Sequence, residues 1–134
     1  MAAFVLHADG AARGNPGPAG AGAVLLDPDG NVVAELGRAL GRATNNVAEY
    51  SALVMGLEDA RRRGVEDLVV RLDSELVVRQ LRGQYRVRHP GLRPLARRAL
   101  GLLGEFRSVR VEHVPRERNA HADRLANEAV GGGA

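Results

Sequence analysis

Apolar and polar positions along this chain follow two different periods, and the changes of period mark its elements. Phe4 to Ala8 is a short apolar run entering Asp9, and Gly14 to Gly20 is dense in turn-forming residues. Ala21 to Leu26 and Val32 to Leu40 are strand-like and are joined by Asp27-Pro-Asp-Gly30, a reverse-turn sequence. Three antiparallel strands are the natural reading. From Asn46 to Arg63 the period lengthens: Val47, Tyr50, Leu53, Val54 and Leu57 recur at helical spacing, and Gly64 marks the stop. Leu68 to Leu72 is a continuous apolar strand interrupted only by Arg71, and Ser74 caps a helix from Glu75 to about Leu81 that Gly83 ends. Beyond Pro90-Gly91, the positions Leu92, Leu95, Ala96, Ala99, Leu102, Leu103 and Phe106 predict another amphipathic helix. Val109 to His113 alternates as a last strand. Asn119 is placed to cap a final helix that turns Leu125, Ala126 and Ala129 inward.

The order is three strands, helix, strand, two helices, strand, helix. Helical crossovers between the later strands require these to run parallel, so the expectation is an α/β fold with a mixed sheet and helices packed on it. With 134 residues and 45% apolar content, a single domain with a real core is expected. That domain should span 1–130, followed by a flexible Gly-rich tail or linker at 131–134. Two Phe, two Tyr and no Trp leave the core to Leu, Val and Ala. The absence of cysteine excludes disulfides, thiolate catalysis and Cys-based zinc sites. The apolar run at the N-terminus is too short for a secretion signal, and none approaches a membrane span. A soluble cytoplasmic monomer without membrane contact is expected.

Charge sharpens this picture by its placement. The net charge is only +3, but every basic residue is arginine. Between Glu75 and Glu105 there is no acid, while Arg79, Arg82, Arg86, Arg88, Arg93, Arg97 and Arg98 all fall there. Guanidinium groups bind phosphate bidentately and displace condensed counterions, so the block suits a polyanion; it also suits a solvated helical face.

The acids are where the chemistry concentrates. Asp9 and Asp73 each follow directly on an apolar strand run, and two such carboxylates meet if their strands are neighbours. Glu49 lies in the first turn of its helix, and Asp123 sits among small alanines in Ala120-His-Ala-Asp-Arg-Leu-Ala126. Taken singly, Glu49 and Asp123 also read as acids favoured by a helix N-terminus.

Four motifs in order change this. Asp9-Gly10 is followed by Gly14-Asn-Pro-Gly-Pro18, then Thr44-Asn-Asn-Val-Ala-Glu-Tyr-Ser-Ala-Leu53, then Asp73-Ser74, then Asn119-Ala-His-Ala-Asp123. Over essentially its whole length the sequence resembles the type 1 ribonuclease H family, in particular a short-loop bacterial and archaeal subgroup whose members are sometimes fused to a phosphatase domain. The resemblance implies a ribonuclease H-like fold, with a five-stranded mixed sheet of three antiparallel and then parallel strands flanked by helices. It implies an endonuclease that hydrolyses the RNA strand of RNA/DNA hybrids and leaves 3′-hydroxyl and 5′-phosphate ends. Asp9, Glu49, Asp73 and Asp123 correspond to its catalytic, metal-binding carboxylates. They would hold two Mg²⁺ ions, with Mn²⁺ as a substitute. Hard oxygen ligands suit such ions, which at ~3.5–4 Å apart activate a water and stabilise the leaving oxygen. Gly14, Asn15, Thr44, Asn45 and Asn46 correspond to residues that contact the substrate, Thr44 at a phosphate of the DNA strand.

The sequence departs from the family pattern in two places. Many members have Gln where this chain has Glu75, and glutamate accepts a hydrogen bond from a 2′-hydroxyl but donates none. Many also carry a catalytic His in a loop before the last Asp; here only His113 and His121 are candidates for proton transfer. A non-catalytic module binding hybrid or double-stranded RNA is the rival reading. Double-stranded RNA is a further candidate substrate.

Overall fold

The computed structural model describes residues 2–132. Its strands are β1 (Phe4–Ala12), β2 (Gly17–Leu26), β3 (Val32–Ala43), β4 (Asp67–Leu72) and β5 (Ser108–His113). Its helices are α1 (Asn45–Arg62), α2 (Glu75–Leu81), α3 (Arg93–Leu103) and α4 (Ala120–Gly132), with a single 3₁₀ turn at Arg116–Arg118. One sheet contains all five strands in the order β3-β2-β1-β4-β5. β1, β2 and β3 are antiparallel neighbours, whereas β1, β4 and β5 run parallel, as the helical crossovers require.

Helices cover both faces of the sheet. α1 packs on β1 and β2 and against α3, and α4 lies on β1, β2 and β3. Strand alternation separates the two layers: Ala23 faces Gly56 of α1, while its neighbour Gly22 faces Ala122 and Ala126 of α4. The core lies on the α1 side and joins Leu6 of β1, Tyr50, Leu53 and Leu57 of α1, Leu68 and Val70 of β4, and Val77 and Val78 of α2. Leu6, Leu53 and Leu57 are 0% exposed, and each such side chain contributes roughly 1.5–3 kcal/mol on burial.

Local signals place the helix ends. Thr44 accepts a hydrogen bond from Val47 N (3.2 Å) and caps α1, and Ser74 accepts one from Val77 N (3.3 Å) and caps α2. Gly64 has φ +76°, the left-handed conformation that ends α1.

The structure revises several boundaries. β1 continues past Asp9 to Ala12, because β2 supplies partners up to Ala12↔Ala19; β2 accordingly begins at Gly17. Asp9 is therefore inside a strand, not at its end. α3 stops at Leu103, before Phe106, which is nevertheless buried in the turn that follows. α4 buries Ala122 and Ala126, while Leu125 and Ala129 are half-buried. Of the tail expected at 131–134, the backbone of Gly131 and Gly132 is in α4, and Gly133 and Ala134 lie outside the described residues. Among the described residues no helix is long and apolar enough to cross a membrane.

Candidate metal centre and active site

Strand register brings the first two carboxylates together. In the parallel ladder of β1 and β4 the pairs run with constant offset from Phe4↔Leu68 to His7↔Arg71. Carried two residues further, that offset sets Asp9 opposite Asp73, just past Leu72 where β4 ends. β1 is still held there by β2, with Asp9 opposite Gly22. The sheet thus opens between β1 and β4 at the level of the two acids.

Glycines bring in the other two. A Cβ on Gly10 would stand 2.3 Å from Ala48 C and 2.4 Å from Glu49 N, so the first turn of α1 rests directly on the β1 backbone. A Cβ on Gly22 would stand 2.4 Å from Ala122 O and 2.5 Å from Ala126 N, so α4 rests equally closely on β2, beside Asp9. Gly10 thereby seats Glu49, and Gly22 seats Asp123.

One carboxylate oxygen from each of Asp9, Glu49 and Asp73 falls within a mutual 4.8 Å. Asp123 stands beside this triad and shares a hydrogen bond with Asp9. Asp9 is 7% exposed; burial, then the charge of Asp73 and the hydrogen bond with Asp123, push its carboxyl up to about 8. Burial pushes Glu49 up to about 7; the Ser74 hydroxyl opposes this, Asp73 adds to it, and Arg116 opposes it. Glu49 Oε2 is buried and has no hydrogen-bond partner among the described residues. An orphaned carboxylate oxygen aligned with two further carboxylates is the donor set that a hard divalent cation satisfies, and a cation there would offset the mutual repulsion of the acids.

Other side chains fix these acids in place. Gly10 N donates to Asp9 Oδ1 at 3.0 Å. Asn119, expected as the cap of α4, uses only its backbone carbonyl that way, accepting from Asp123 N at 3.0 Å. Its buried side chain instead donates to Ala8 O (3.0 Å) and Asp73 Oδ2 (3.2 Å) and meets His7 Nδ1 at 3.2 Å. Sequence reasoning missed both this bridge and His7. The signals available were the position of Asn119 four residues before Asp123 and that of His7 two before Asp9, on the same strand face. Burial is the largest effect on His7 and holds its imidazole below the usual histidine range. Asn127 steadies Asp123, donating to its carbonyl (2.9 Å) and its Oδ1 (3.2 Å).

The remaining expected site residues divide into three groups. Asn15 and Asn45 are joined: the exposed Asn15 Oδ1 accepts from Asn45 N at 3.0 Å, which ties the β1–β2 loop to the start of α1. Gly14 in that loop has φ +108°. Thr44 spends an oxygen lone pair on the α1 cap and keeps its own hydroxyl proton to donate. Asn46 borders a groove that also exposes Gln80, Gln84, Tyr85, Arg86 and Arg88, so part of the acid-free segment lies beside the start of α1. Glu75 is exposed and paired with Arg79 (2.7 Å), outside the triad. Of the two candidate histidines, His113 donates from Nε2 to the backbone Asp73 O at 3.2 Å. His121 turns to β3, where its Nε2 lies 2.5 Å from Glu35 Oε2.

Residues 7–129 match the family model described as reverse transcriptase-like. The chain is 52% identical over 127 residues to a bifunctional protein of Mycobacterium tuberculosis, a match covering 94% of this chain and 35% of that protein. It is also 52% identical over 122 residues to ribonuclease HI of Halobacterium salinarum, covering 91% of this chain and 61% of that one. The chain therefore spans about a third to three-fifths of these curated relatives. The crystal structure of the halobacterial ribonuclease H1 superposes with a TM-score of 0.93 at 49% identity, covering 96% of this chain and 98% of that one. That of LC11-RNase H1 in complex with RNA/DNA hybrid gives 0.90 at 43% identity, covering 97% and 98%.

Proposed function

The chain belongs to the ribonuclease H family of reverse transcriptase-like domains, and we propose that it is an endonuclease that hydrolyses the RNA strand of RNA/DNA hybrids, leaving 3′-hydroxyl and 5′-phosphate ends. One observation carries the reading: Asp9, Glu49 and Asp73 converge within 4.8 Å, with a buried oxygen of Glu49 left unpaired. Asp9, Glu49, Asp73 and Asp123 are the residues that would hold two divalent cations, Mg²⁺ by their hard-oxygen chemistry with Mn²⁺ as a substitute. When bound, such ions supply Lewis acidity at the phosphoryl group and at the water that attacks it.

The side chains of the protein bind, orient and exclude. The Asn15–Asn45 pair and Asn46 face the hybrid, where amide groups both donate to and accept from a 2′-hydroxyl and so distinguish RNA from DNA. Thr44 donates to a phosphate of the DNA strand. Arg86 and Arg88, in the groove beside Asn46, take up further backbone charge. His113, anchored on the carbonyl of Asp73, is the better placed of the two candidates for proton transfer. A chain without cysteine suits a reducing cytoplasm, and we place it there as a monomer.

The test is cleavage of end-labelled RNA/DNA hybrid with Mg²⁺ or Mn²⁺, beside double-stranded RNA and duplex DNA of the same sequence, for wild type and Asp73→Asn. Cutting of the RNA in the hybrid by wild type, lost in the variant, is the expected result; the double-stranded RNA lane decides whether that substrate is also taken. Salt-sensitive binding without cleavage under either metal would establish the non-catalytic module instead.

A further inference from the structure

His7 lies on β1 two residues before Asp9 and on the same face of the strand, and nothing in the hydrolysis proposed above uses it. Its Nδ1 meets Asn119 Oδ1 at 3.2 Å. The other end of that amide, Nδ2, is 3.0 Å from Ala8 O and 3.2 Å from Asp73 Oδ2. Asn119 is 1% exposed, so solvent does not compete for these positions. A carbonyl and a carboxylate only accept hydrogen bonds, so the amide end facing them is the NH₂ and the end facing the ring is the oxygen. That oxygen needs a donor, and the imidazole supplies one only if Nδ1 carries a proton. The donors therefore run in one direction: His7 Nδ1–H to Asn119 Oδ1, and Asn119 Nδ2–H to Asp73 Oδ2. Each end of the amide is held, which fixes its plane and so the direction from which it grips Asp73.

We propose that His7 is a positioning residue for Asp73: through Asn119 it holds carboxylate Oδ2 in place and leaves Oδ1 for a divalent cation. The proposal rests on the reading of the carboxylates as a cation site. It predicts that loss of the ring donor is felt at the cation and in turnover, but not in hybrid binding. Removing the outer partner of a metal ligand typically costs 10- to 100-fold in affinity or activity; with an amide interposed, the low end, about 10-fold, is expected.

His7→Phe keeps a planar ring and removes the donor, and His7→Asn returns an NH₂ near the position of Nδ1. Nitrogen NMR of the His7 ring in the metal-free protein reads the tautomer directly. Calorimetric titration with Mg²⁺ or Mn²⁺ alone reads the carboxylates without turnover, and kcat and KM on hybrid read the reaction. The expected results are an Nδ1–H ring, cation affinity and kcat both about 10-fold lower in His7→Phe with KM unchanged, and recovery of most of both in His7→Asn. An Nε2–H ring, cation affinity and kcat of wild type in His7→Phe, or a folded His7→Asn that recovers neither would overturn the proposal. Failure of the underlying reading shows separately, as a wild-type chain that binds neither cation.

Discussion

Asp9→Asn separates the cost of the carboxylate cluster from its use. In the metal-free protein Asp9 is raised from 3.8 to about 8, so between those values folding requires the carboxyl to take up a proton or to bear its charge among other acids. A folded-state value above the unfolded one gives stability that is full below pH 3.8 and is lost as pH rises through 8. At about 1.4 kcal/mol per pH unit the ceiling is roughly 6 kcal/mol above pH 8. The asparagine amide is itself buried at this position and bears its own desolvation cost, so the variant returns only part of this, on the order of 2–4 kcal/mol. Asparagine keeps the local bonds: its oxygen accepts from Gly10 N as Asp9 Oδ1 does at 3.0 Å, and its NH₂ donates to Asp123. For a domain of this size the gain corresponds to a rise in Tm of roughly 5–15 °C. Thermal melts of chelated wild type and variant from pH 3.5 to 9 measure it. The curves should coincide at the acid end and separate steadily toward pH 9, while Mg²⁺ raises the Tm of wild type well above its effect on the variant. Equal Tm values at pH 9, or a variant less stable than wild type there, would refute the account of the cluster as electrostatically strained. A variant that still cleaves would remove Asp9 from the site.

Gly10→Ala forces a Cβ onto the backbone of Ala48 and Glu49, so urea titration should show a loss of about 2–3 kcal/mol, and cleavage should fall further than stability because Glu49 moves; Gly101→Ala, inside α3 with nothing within 4 Å, is the control and should instead gain up to about 1 kcal/mol with cleavage unchanged. Asn15→Ala breaks the tie to Asn45, and binding assays should find hybrid affinity weaker by about 1 kcal/mol, roughly fivefold, with cation affinity unchanged. His121→Ala removes an exposed pair with Glu35, so stability should change by less than about 1 kcal/mol and the pH–rate profile should keep its shape; a lost limb would give His121 the proton-transfer role.

Hydrophobic period and turn chemistry made the order of elements legible, and with it the parallel run of the later strands; that β1 and β4 are neighbours became visible only in the sheet. They did not show where pairing stops. Asp9 read as a strand end because the apolar run ends at Ala8, but backbone hydrogen bonds to β2 extend the strand through polar and small residues that carry no apolar signal. Asn119 read as a cap because an isolated Asn before a helix usually is one. Only the tertiary approach of β1 and Asp73 shows that burying its amide against two acceptors takes precedence over the helix end. Phe106 kept the helical spacing and is buried as expected, yet the helix stops at Leu103, because spacing records which face is buried and not whether the backbone stays helical.

The many small residues also acquire a reason. For carboxylates on two strands and two helices to converge, both helices must approach the sheet more closely than side chains normally allow. Gly10 under α1, and Gly20 and Gly22 under α4, remove the Cβ atoms that would hold the layers apart; Ala8, Ala122 and Ala126 keep the neighbouring contacts small. Large apolar side chains fill the α1 layer at Leu6, Leu53, Leu57, Leu68 and Val70, and Leu72 and Val77 carry that core up to the acids. The opening between β1 and β4 then becomes the place where Glu49, arriving from the α1 side, reaches acids carried by β1 and by the end of β4. Filling any one of these glycine contacts should displace a single carboxylate while leaving the distant core intact. The identity of the displaced acid then follows from which helix is lifted: Glu49 when α1 moves, Asp123 when α4 does.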